Sequence, residues 1–219
     1  MPRTKYLFQK NRWLSAEKRY WWRYSDEKVY ELFNNRDIKP SERIGFVRSK
    51  VILLGRYYLT GIERKARNEE IANAIVKAGF AFGYPKLNGK TFDEKINIYT
   101  PHAKLSHAIK AKTKTWEAVF ASKWLHFHQK KAFPIIDSIS EEALFKHQYI
   151  RDNTSQWEKE YDNFHEYLKR DRYDYDDRYC WYCYCLLQLR EYIAQRLKKR
   201  PKNISVKELD IYLFTFDEK

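Results

Sequence analysis

The chain lacks any long apolar run. Nowhere does it approach the roughly 20 consecutive apolar residues a membrane span needs, and the opening MPRTKYLFQKNRW has no apolar core of the secretory-signal type. The expected setting is therefore cytoplasmic, with no membrane partner. Cysteine is scarce: Cys180, Cys183 and Cys185 are odd in number and crowded into YCWYCYC, which argues against a secreted disulfide framework. Tetrahedral zinc and iron-sulfur cubanes usually take four ligands, and the chain has no fourth cysteine. Because LLQLREYIAQRLKKR continues the run as a helix, the three thiols read as small, soft side chains on a buried helical face. No metal or other cofactor is expected. There is also no internal repeat and no low-complexity tail.

Acidic charge is in deficit. Lys and Arg number 43 against 29 Asp and Glu, a formal charge of +14 over 219 residues. Such an excess favours a polyanionic partner through release of condensed counterions, and a nucleic acid is the simplest one. Seven Trp, 18 Tyr and 13 Phe supply flat faces for base stacking, although in a chain so short of Met most of them must serve the core. At this length a single sizeable core or two small lobes with a cleft between them can be built.

The apolar spacing is helical almost throughout, so the expected class is mainly α. Ser15 or Ser25 can cap the aromatic-rich AEKRYWWRYSDEKVYELFNN, with Val29, Leu32 and Phe33 on its apolar side. Pro40-Ser41 opens a segment lined by Ile44, Val47, Val51, Leu54 and Tyr58. Glu69 and Glu70 suit the first turn of a helix that ends near Gly79 and carries Ile71, Ala74, Ile75 and Ala78. Ser155 with Glu158 and Ser205 with Glu208 both fit a capping box, the first ahead of a stripe of Trp157, Tyr161, Phe164 and Leu168. FAFGYPKLNGKTFDEKINIYTP holds two of the six glycines and two of the six prolines and reads as an irregular connection. KRDRYDYDDRY, residues 169–179, reads as a second link, and the short runs INIY and LFTF cannot be assigned by period alone.

One stretch suggests chemistry. In TKTWEAVFASKWLHFHQKKAFPIIDSIS, Trp116, Val119, Phe120, Lys123, Trp124 and Phe127 follow helical spacing, which sets Lys123 beside an apolar face. Partial desolvation there lowers an amine's pKa and enlarges its neutral, nucleophilic fraction. A lysine so placed more often snorkels to water with its stem packed on an aromatic ring. Asp137, fourteen residues on and just before SISEE, suits a helix N-terminus facing the amine. Lys110, Lys112 and Lys114 precede the helix as candidate phosphate contacts, or as a solvated basic loop. His126 and His128 flank Phe127 and read as structural donors.

Lys123 in VFASKWLHFH and Asp137 in FPIIDS resemble the active-site lysine and aspartate of the helix-hairpin-helix DNA glycosylase superfamily, in its 8-oxoguanine glycosylase branch. VFASK is most similar to the archaeal form. The SKxLHFH…FPIxDS pattern is also similar to bacterial proteins described as having that fold. The likeness is sharp over about thirty residues.

It implies a single glycosylase-like domain over 1–219, a two-lobed helical bundle with a cleft between the lobes. Residues 1–80 with the C-terminal helices would form one lobe, and the catalytic helical segment would lie at 100–150. It further implies a monomeric enzyme that flips a modified or damaged base out of DNA. Lys123 would be the nucleophile, Asp137 its partner and Lys110, Lys112 and Lys114 the DNA contacts, in repair or in phage defence. The alternative is an inactive member that binds nucleic acid or a protein. The chain departs from the pattern in three ways: no LPGVGxK hairpin is present, the lysine lies fourteen rather than about twenty residues before the aspartate, and the four-cysteine cluster of the endonuclease III branch is missing. Lys114 is accordingly a rival nucleophile, and DIYLFTF a candidate contributor to the base pocket.

Overall fold

The computed structural model describes residues 23–93, 97–169 and 175–214. Among these are nine α-helices and no strand. Helix α1 is Arg23–Asn34, α2 Arg43–Arg56, α3 Asn68–Lys77, α4 Tyr99–Thr113 and α5 Ala118–His128. They are followed by α6 Ser138–Lys146, α7 Gln148–Lys169, α8 Asp177–Leu197 and α9 Val206–Phe214.

The helix ends follow from local chemistry. Pro40 opens a single 3-10 turn that leads into α2, using the proline where its missing N–H is not needed. At the start of α3 the Glu70 carboxylate takes the Arg67 N–H at 3.2 Å. At its end Gly79 sits at φ +82°, and the Phe80 N–H reaches back to the Ile75 carbonyl, closing a Schellman turn. Ser205 and Glu208 exchange the two bonds of a capping box ahead of α9, at 3.1 and 2.6 Å. Ser155 does not start a helix: α7 already begins at Gln148, and Ser155 lies inside it. Ser25 likewise lies within α1, and Ser15 is outside the described residues.

The buried faces largely match the spacing. Phe33 of α1, Val47, Val51 and Leu54 of α2, and Ile71 and Ile75 of α3 are fully enclosed, whereas Ile44 is 41% exposed and Ala78 faces outward. In α7 Trp157 and Tyr161 are buried, while the side chains of Phe164 and Leu168 lie outside those described. The three cysteines are free and buried on α8, beside Tyr179, which stacks on His102 at 3.7 Å. Burial pushes all three thiols up, so they are poor nucleophiles. Of INIY, Tyr99 begins α4; of LFTF, only Leu213 and Phe214 are described, and they end α9.

Helix α5 is the hub. It packs against α1, α2 and α4, and ten of its eleven residues are buried. Helices α2 and α3 pair, α3 rests on α4, and α9 rests on α6. One apolar core runs from Phe33 to Leu213. No described helix is long and apolar enough to cross a membrane.

Candidate active site

Helices α4 and α5 are joined by a four-residue link, Lys114–Glu117. Lys114 takes the left-handed conformation, φ +66°, that glycine usually supplies at a helix end, and its N–H returns to the Lys110 carbonyl at 2.8 Å. Thr113 Oγ1 donates to the Thr115 carbonyl, and Thr115 Oγ1 donates to Glu117 Oε1. The buried Glu117 carboxylate also holds Lys65 Nζ at 2.7 Å. A glycine-free link is thus fixed by a buried acid.

The link sets the phase of α5, and α5 leaves Lys123 little access to water. Lys123 is 8% exposed, so the usual escape of the ammonium to solvent is not taken. Its Nζ donates to the Tyr58 carbonyl at 3.1 Å and lies 5.9 Å from the centre of the Tyr58 ring. Neighbouring Trp124 is fully enclosed, its indole donating to the Phe80 carbonyl, and Tyr58 meets Phe127 edge-on.

The fourteen residues from Lys123 to Asp137 form a return. After His128 the chain turns through Gln129–Ala132, with Ala132 N–H on the Gln129 carbonyl. The apolar run Phe133–Ile136 is buried, and it comes back along α5 until the Ile136 N–H meets Ser122 Oγ at 3.3 Å. The next residue is Asp137. Its Oδ1 accepts the Ser140 N–H at 2.9 Å as the N-cap of α6, while Oδ2 lies 3.8 Å from Lys123 Nζ. One carboxylate therefore caps a helix with one oxygen and faces the amine with the other. The spacing brings both groups together because helix, turn and extended return have matching lengths.

Burial lowers the Lys123 pKa, and attraction from Asp137 and Asp210 opposes that only in part. The result is a lysine with an enlarged neutral fraction beside a carboxylate.

The other predicted residues are placed apart from this pair. Lys110 lies over the Trp116 ring at 4.1 Å. Lys112 and Lys114 are exposed near the α4–α5 link, and Lys114 Nζ donates to the Ala111 carbonyl. It is Lys123, not Lys114, that meets Asp137. His126 and His128 are buried, and each bonds through Nδ1 to a carbonyl, of Phe133 and Trp124 respectively. The last residues of DIYLFTF are outside the described residues, but Asp210 at its start acts on Lys123. Nothing in the sequence pattern points to Asp210 in that role.

A second buried lysine escapes the sequence reading. Lys50 is fully enclosed, with Nζ 2.9 Å from the Phe33 carbonyl and 3.2 Å from His128 Nε2. Because His128 Nδ1–H is committed to Trp124, Nε2 is free to accept from the amine. Desolvation brings the Lys50 pKa down to about 7 and that of His128 to about 3. The signal is present, since Lys50 falls between Val47, Val51 and Leu54 on the apolar face of α2.

No protein-family model matches the chain, no curated protein matches it, and no solved structure matches it.

Proposed function

We propose that the protein is a DNA N-glycosylase with associated lyase activity, acting on an oxidised or otherwise modified base in repair or phage defence. The observation that carries the reading is the buried Lys123 amine facing a carboxylate at the N-terminus of α6. In the reaction, the neutral Nζ attacks the anomeric carbon of a flipped nucleotide. The C1′–N bond breaks, and its electron pair leaves with the base. The ionised Asp137 stabilises the positive charge that develops on the sugar, then takes a proton from the bonded amine and passes it to O4′ as the ring opens. Opening of the sugar ring gives a Schiff base at C1′, and loss of a C2′ proton then expels the 3′ phosphate. These steps use side chains of the chain itself. The +14 charge and the exposed Lys112 and Lys114 suit a phosphate-rich substrate. The short link Lys114–Glu117 between two helices, directly ahead of the lysine's helix, suits the helix-hairpin-helix kinship.

A second reading rests on a specific observation. Lys123 donates to the Tyr58 carbonyl and Asp137 caps α6, so both groups already hold structure together. That would suit an inactive member that binds nucleic acid or a partner protein.

Borohydride trapping separates the two. Oligonucleotides carrying single modified bases or an abasic site should give a covalent adduct with the parent chain and with Lys114→Gln, and none with Lys123→Gln. Absence of any adduct or nick across the panel would leave the binding-protein reading.

A further inference from the structure

A concavity of about 480 Å³ opens at the C-terminal end of α5, between α1, the loop at residues 87–90 and the turn after His128; neither Lys123 nor Asp137 lines it. Four cations line it: Arg36, Lys90, Lys130 and Lys131. No carboxylate lines it, and among the described residues none of the four is paired with one. Lys130 and Lys131 by themselves need no ligand, because cations at a helix C-terminus offset its dipole. Arg36 and Lys90 are different. They arrive from separate parts of the chain, and gathering like charges in one hollow is unfavourable unless an anion joins them.

The hollow is also rigidly built. The Gln129 side chain spans it, with Oε1 accepting the Tyr84 N–H at 3.0 Å and Nε2 donating to Tyr84 O and to Asn88 Oδ1. Gly83 presses on His128 so closely that a Cβ would sit 2.7 Å from the histidine's own. The Phe92 N–H meets the Lys131 carbonyl at 2.6 Å, and the buried Arg190 holds the Phe92 carbonyl from behind. Lys130 is laid over the Tyr30 ring at 4.6 Å. Several polar groups of the wall are thus spent on one another, and its charged donors are the four cations.

We propose that this hollow is a phosphate-binding site, taking either a backbone phosphate of a nucleic-acid strand or the phosphate of a free mononucleotide. It involves neither Lys123 nor Asp137, so it stands or falls separately from the glycosylase reading. The volume lies in the range of small-ligand sites, and a phosphate offers several acceptor oxygens for charge-assisted bonds.

The test is amide NMR on the full chain, titrated in turn with inorganic phosphate, adenosine monophosphate, a short single-stranded oligonucleotide and an oligo-aspartate peptide. The Gly89 and Lys131 amides should shift with a phosphate-bearing probe. Lys90→Gln with Lys131→Gln, both exposed and so outside the packed core, should weaken that binding about tenfold or more. Response to the oligonucleotide alone identifies a strand phosphate, and response to the free phosphates as well identifies a mononucleotide site. Lys123→Gln should titrate as the parent does. The proposal is overturned if no phosphate probe moves either amide, if only the peptide does, or if the double variant binds as tightly as the parent.

Discussion

Replacing Lys50 with methionine should change the pH dependence of folding more than folding itself. The unfolded lysine holds its proton up to its ordinary value of 10.5, whereas the folded one releases it at about 7. Between those values the unfolded chain binds more protons, so stability of the parent rises with pH from about 7 and levels off above 10.5. Each pH unit in the window is worth about 1.4 kcal/mol, or on the order of 5 kcal/mol in all. Nζ lies 4.4 Å from the Phe46 ring centre and 5.0 Å from that of Phe33, contacts that favour the charged form. They bring the expectation to about 3 kcal/mol between about pH 7 and pH 10. Methionine abolishes this slope, and it also leaves the Phe33 carbonyl and His128 Nε2 without their donor, at about 1–3 kcal/mol each. At neutral pH the substitution gains by removing a buried charge what it loses in hydrogen bonds, so the variant should be near parity at about pH 7 and clearly weaker at about pH 10. Urea unfolding of both proteins at the two pH values measures the difference, in which every other titrating group cancels. Equal slopes for parent and variant would refute the reasoning.

Asp137→Asn should keep α6, because asparagine caps as well as aspartate, with a stability change under about 1 kcal/mol. It should nonetheless slow borohydride-trappable adduct formation about a hundredfold or more, since the base and its charge are gone; a variant as fast as the parent would remove Asp137 from the mechanism. Gly83→Ala should destabilise the fold by about 2–3 kcal/mol in thermal or urea unfolding, from the φ of +79° together with the clash on His128.

How much of this is legible in the sequence differs from element to element. Lys123 and Asp137 can be found because two local rules meet in one stretch: helical spacing puts the lysine beside an apolar face, and SISEE marks a helix start. Lys50 satisfies the first rule equally well, yet its burial depends on Phe33, Phe82, Trp124 and His128, which come from distant parts of the chain. Local spacing says which way a side chain leaves its helix, not whether other elements close over it. The capping pattern at Ser155 fails for a related reason. Tyr149 and Ile150 pack into the core, so helix begins before the serine is reached, and the box is absorbed into the interior. At Lys114 no glycine marks the end of the helix, but a left-handed lysine costs only about 1–2 kcal/mol, which the Glu117 network offsets. The basic hollow draws on three separated segments, and no single motif could announce it.

The burial of α5 has a consequence for how the site must move. A helix enclosed on nearly every side can expose its amides only when the whole domain opens, so those of Ser122–Leu125 belong with the slowest-exchanging protons of the molecule. On the glycosylase reading proposed above, the lysine cannot travel to a substrate. Access has to come from what covers it, and the cover is the turn carrying the Tyr58 carbonyl, where Tyr57 is 77% and Leu59 86% exposed and Leu59 is held at φ +52°. A small displacement of that turn would free the amine without disturbing the helix that aims it.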